Sequence, residues 1–195
     1  MDEPQTYTAF AGVGRIASGD LATMLRGVKA YQERGDSQPV LIFEDATGRQ
    51  VDFDFRGTED EVLERAEAVS PKPGPGRPKL GVVAREVTLL PRHWDWLERQ
   101  RGGASAALRR LVDEARKREP GHERARLVRE AAGKVMWSIA GNLPDFEEAS
   151  RALFAPDPNR FDALVAAWPG DLRDHFTRLS HEAARLEAED EPNLA

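Results

Sequence analysis

The clearest chemical capacity in the chain is the binding of anions by clustered bases. Between Pro71 and Arg118 stand twelve Lys and Arg residues against five acids, a balance of +7; with a net charge of −6 overall, the remainder carries −13. Phosphate contacts need clustered Lys and Arg, and a basic segment set between acidic ones points to a local polyanion partner. Within the segment the candidate contacts are Arg77 and Lys79 in a Gly-Arg-Pro-Lys run, then Arg85, Val87, Thr88 and Leu89, then Ser105 and Arg109.

Other residues of chemical interest have simpler readings. Gly12-Val13-Gly14-Arg15-Ile16-Ala17 fits a dinucleotide-type G-x-G-x-x-A pattern after a strand, with Glu44 and Asp45 ending the next strand. A hairpin turn explains the glycines better, because the second strand runs at once into another hairpin instead of a crossover helix. His93, His122, His175 and His181 show no spacing of three or four that would put two ligands on one helical face, and solvated surface is expected for them. Asp52 and Asp54 share a strand face about 7 Å apart, as a polar outer face would. There is no cysteine, so disulfides and thiolate metal sites are excluded. No cofactor, metal or catalytic constellation is expected, and a non-enzymatic role follows.

The elements that position these groups can be read from periodicity and punctuation. TYTAFAG and VGRIASG predict two strands around a glycine turn, and Ser18 or Asp20 then caps a helix with Leu21, Leu25, Val28 and Tyr31 inward, stopped at Gly35. VLIFED predicts a buried strand. Val51, Phe53 and Phe55 alternate with Asp52 and Asp54 as its half-buried partner, and Thr58 with Glu61 predicts a capping box. Residues 71–79, rich in Pro and Gly, form a linker or arm. From Gly81 a short extended run VVAREVTLL meets Pro91 at the first position of a helix, and Gly102-Gly103 separates it from a second helix. Four further helices follow Glu119, with Val128, Val135, Trp137, Ile139, Phe146, Leu153, Phe154, Phe161, Leu164, Trp168, Leu172, Phe176 and Leu179 as their core. Trp96, off the Trp94–Leu97 face, is the tryptophan expected to meet a partner.

On the junction "TLLP", the following "W..L" and "GGASAALRRLV", residues 80–118 resemble the ribbon-helix-helix DNA-binding proteins. That resemblance implies a dimer whose paired strands enter the major groove through Arg85, Val87 and Leu89, with the backbone near Ser105 on phosphate. Alternatively Val87 and Leu89 face inward and leave Glu86 and Thr88 outside. Gly76-Arg77-Pro78-Lys79 resembles the core of an AT-hook, which implies a minor-groove contact on A·T-rich DNA. From "TAFAG" through "DATGRQVDFD" to "FDALVAAWP", the chain also looks like a bacterial family catalogued as domain of unknown function 2239, which implies no activity.

The expectation is an α+β protein: residues 1–70 an α+β domain of two hairpins and two helices, 71–79 a linker with an arm, 80–118 a ribbon-helix-helix-like module, and 119–190 a helical C-terminal domain. No run approaches the roughly 18 apolar residues of a membrane span, so a cytoplasmic location is expected. The expected function is DNA binding as a homodimer, in transcription regulation. The alternative is a protein–protein interaction or scaffold role of the helical C-terminal region.

Overall fold

The computed structural model describes residues 5–35, 38–69, 85–118, 120–155 and 157–189. It is a mixed α+β fold, with four strands and eight helices among the described residues. The chain divides into two compact units, Met1–Ser70 together with Gly121–Ala195, and Pro71–Pro120.

In the first unit, β1 (Thr6–Ala11) and β2 (Gly14–Asp20) form a hairpin, as do β3 (Val40–Glu44) and β4 (Arg49–Val51). The two hairpins join through antiparallel β1 and β3, giving the order β2-β1-β3-β4. Because side chains alternate across a strand, the sheet buries both faces. Tyr7, Ala9 and Ile42 pack with Met24, Leu25 and Val28 of α1 (Leu21–Glu33) and Val62 of α2 (Glu59–Val69). Phe10 and Phe43 point the other way, into a core built from the helices after Gly121. Residues 1–70 and 119–190 were expected as separate domains, but these two phenylalanines sit in one cluster with the C-terminal helices.

The predicted caps are present. The Asp20 side chain accepts from the Thr23 N–H at 2.8 Å, and Gly35 ends the α1 region with φ +84°. The Thr58 N–H donates to Glu61 at 2.8 Å while the Glu61 N–H donates to the Thr58 hydroxyl at 3.3 Å, a reciprocal capping box. The expected strand over 51–55 is cut short, because β4 ends at Val51. Beyond it, side chains take up the carbonyls: Arg65 donates to those of Asp54 and Arg56, and Lys29 to that of Phe55. Phe53 and Phe55 still pack against the α1 and α2 side of the sheet.

The remaining helices of this unit are α5 (Pro120–Ile139), α6 (Phe146–Leu153), α7 (Pro158–Val165) and α8 (Gly170–Ala188). Their core holds Met136, Leu153, Phe161, Leu172 and Phe176. Trp168 is buried and donates its indole N–H to the Pro144 carbonyl at 2.7 Å, tying the α6 entry to the α8 entry. Two residues expected in the core are outside it: Trp137 is 64% exposed and Phe154 55%. Trp137 stands on the outward face of α5, and Phe154 is the C-cap of α6. Arg129, buried on α5, makes a bidentate pair with Glu187 of α8. Among the described residues, no helix is long and apolar enough to cross a membrane.

In the second unit, residues 85–90 carry neither helix nor strand and lead into α3 (Pro91–Glu98), followed by α4 (Gly103–Arg118). Leu90 is the extended N-cap and Pro91 opens α3. Gly102 and Gly103, at φ +90° and +76°, make the reversal for which only glycine is unstrained. The two helices pack together, with Leu97 and Ala107 buried.

Candidate nucleic-acid interface

The helical hairpin of the second unit sets its side chains in two groups. Leu97 and Ala107 are buried, with Trp94, Ala104 and Leu108 half-buried beside them in sequence period. The outward side carries Arg85, Arg92, Arg99, Arg101 and Arg109, all exposed and without an ion pair among the described residues. Arg110 differs, standing 3.7 Å from Glu114 one turn along α4.

The sequence-predicted contacts are distributed as follows. Arg77 and Lys79 lie outside the described residues, as do residues 81–84 of the expected strand. Arg85, Val87 and Thr88 are exposed and Leu89 is half-buried, so neither alternate face of this run is cleanly inward. Residues 85–90 form no strand, and among the described residues no segment pairs with them to complete a ladder. Ser105 is exposed in the first turn of α4, where backbone N–H groups lack intrahelical acceptors, and Arg109 follows four residues on, along the same face.

The charge is concentrated at the two ends of the segment. From Arg85 to Ala115 six bases face five acids; most of the +7 comes from Lys72, Arg77 and Lys79 before the helices and from Arg116, Lys117 and Arg118 at the end of α4. The sequence reading missed one grouping. Arg92, Trp96 and Arg99 recur at four and three residues along α3 and its C-cap, with Trp96 48% exposed and both arginines exposed. The signal was the i, i+4, i+7 spacing: Trp96 was singled out as off the buried face, but not grouped with the two arginines beside it. Val87, Leu90, Leu111 and Val112 are also exposed, so this small unit leaves substantial apolar surface uncovered.

The other candidate groups resolve differently. Gly12 and Val13 form the turn of the antiparallel β1–β2 hairpin, and β3 pairs antiparallel to β1, so the glycine pattern belongs to no parallel crossover unit. Asp54 is held by Arg56 at 2.7 and 2.9 Å, and these bonds keep its carboxyl far below the usual range. His181 pairs with Asp162 at 2.7 Å.

His175 is not the surface residue expected: it is 3% exposed, between the rings of Phe10 and Phe176, and its Nδ1 has no hydrogen-bond partner. Burial, reinforced by Arg178 and Arg15, lowers its pKa to about 4. It lines a cavity of about 20 Å³ with Thr8, Asp45 and Arg178, room for about one water. Among the described residues no cluster of His, Asp and Glu could hold a metal ion.

A family model described as "Uncharacterized protein conserved in bacteria (DUF2239)" matches residues 6–180. Neither curated proteins nor solved structures gave a match.

Proposed function

The chain belongs to this bacterial family, and from that premise we propose that it is a cytoplasmic DNA-binding protein, a homodimer in the class of transcription regulators, acting through residues 71–118. The observation that carries this reading is the outward side of the second unit: five arginines without an ion pair among the described residues, on a unit whose ends add six further bases. Exposed Val87, Leu90, Leu111 and Val112 supply the apolar surface that a second copy would cover. In the ribbon-helix-helix-like form of this reading, residues 82–90 of two chains pair into the ribbon, and Ser105 and Arg109 lie toward phosphate. The AT-hook-like Arg77 and Lys79 form a second arm toward a narrow A·T minor groove, whose negative potential attracts such cations.

The near-balance of charge from Arg85 to Ala115 favours phosphate and shape recognition over a long specific site. Titration against duplex DNA at several salt concentrations tests the reading. With about five phosphates neutralised, log K falls against log salt with a slope of about −4 to −5. Absence of binding at low salt overturns it.

A second reading, a protein–protein interaction or scaffold role of the C-terminal helices, is favoured by the exposure of Trp137 and Phe154.

A further inference from the structure

We propose that the outward face of α5 is a self-association surface, on which a second copy of this chain lies antiparallel; the proposal rests on the interaction reading of the C-terminal helices and names the partner. Leu127, Glu130, Lys134 and Trp137 recur at steps of three, four and three, a single stripe along the helix. The opposite side of α5 is buried in its own unit through Ala132 and Met136. Leu127 is 45% exposed and Trp137 64%, so two large apolar side chains lie on the face turned to water. Next to Trp137 the missing side chain of Gly133 leaves room for the Phe154 ring, 3.3 Å from where a Cβ would stand. Glu130, Gly133, Lys134, Trp137 and Phe154 wall an open cleft of about 490 Å³.

The stripe is palindromic in chemistry as well as in spacing. A two-fold axis at the level of Ala132 sets Leu127 against the second copy's Trp137 and Glu130 against its Lys134, and repeats both contacts by symmetry. A parallel copy in the same register would set Glu130 on Glu130 and Lys134 on Lys134, so the charges select the antiparallel arrangement. The two charges are not consumed by each other. Although four residues apart on one helix, Glu130 pairs with Arg126, and Lys134 donates to the Thr47 carbonyl at 2.9 Å. A carboxylate accepts several bonds and an ammonium donates three, so each keeps capacity for a contact across the axis.

The chain contains no cysteine, so Leu127→Cys and Trp137→Cys chains each carry a single thiol. Mixed in equal amounts, one bearing a size tag, and treated with a short bismaleimide, they should give the mixed product in several-fold excess over like-with-like products. By sedimentation equilibrium, Glu130→Lys and Lys134→Glu should each weaken self-association about tenfold, and the double exchange should restore it. Dimerisation through residues 71–118 would instead yield statistical cross-linking and would not respond to the exchange. A mixed product no more abundant than chance, or a double exchange that fails to recover association, overturns the proposal. The broader interaction reading also admits partners other than a second copy and would survive that result.

Discussion

Gly48, in the β3–β4 turn, lies with its backbone against the backbone of Ala131 on α5: a Cβ built at Gly48 would stand 2.2 Å from the Ala131 carbonyl oxygen. Its φ of +63° adds the left-handed penalty to that clash. Gly48→Ala should therefore destabilise the protein by about 2 kcal/mol or more, because neither backbone can yield cheaply. Urea unfolding checks this, and Gly35→Ala, at φ +84° with open space around it, is the control that isolates the conformational cost from the contact.

Breaking the Arg129–Glu187 pair leaves a buried guanidinium without its counter-charge. Glu187→Gln should cost about 3 kcal/mol, the range for removing one partner of a buried pair, whereas Arg126→Gln on the exposed side of α5 should cost far less, its ion pairs being screened by water. Thermal melts of the two variants give the comparison.

His175 makes the protein less stable as the pH falls below neutrality. Its pKa is about 4 in the folded protein against an ordinary 6.5, so between those values the unfolded chain binds more protons. Stability contributed above pH 6.5 is lost as pH falls toward 4, by at most about 3 kcal/mol at 1.36 kcal/mol per pH unit, with no further loss from this group below that. The lowered carboxyl pKa values of Glu44, Asp54 and Glu187 act at lower pH. Unfolding of His175→Phe across pH 4 to 7 should lack the His175 slope.

For DNA, Arg77→Ala with Lys79→Ala should weaken binding to A·T-rich duplexes more than to G·C-rich ones, and equal losses would remove the minor-groove arm. Arg92→Ala with Arg99→Ala should make the salt slope shallower by about 2 if both meet phosphate, with little change in sequence preference. Fluorescence anisotropy at several salt concentrations reads both pairs.

Much of the local structure was legible because it is local. The Asp20 cap, the Thr58–Glu61 box, the proline at the start of α3 and the glycine reversal before α4 depend on residues within four positions of one another. What failed depends on distant chain. Residues 52–55 alternate as a strand should, yet Arg65 and Lys29 take their carbonyls in place of a ladder. His175 was expected on the surface because no other histidine stands three or four residues from it; that it points inward follows from Phe10 lying across from α8, which no spacing reveals. Trp137 and Phe154 carry the right residue type for a core, and only the packed helices show that they fall outside it. Within the basic segment the bases were visible, but the grouping of Arg92, Trp96 and Arg99 required looking at the exposed side of a helix.

The first unit is assembled from both ends of the chain: the Arg15 N–H on β2 donates to Asp171 on α8, 156 residues away, and Phe10 shares a core with Phe176. During synthesis β1 and β2 therefore leave the ribosome long before the helix that covers their second face, and the helical hairpin of 91–118 is complete in the interval. The sheet must wait with Phe10 and Phe43 uncovered, and closure over so long a loop is slow. A truncation before α8 leaves that face open, so shortened chains should aggregate where the full chain folds.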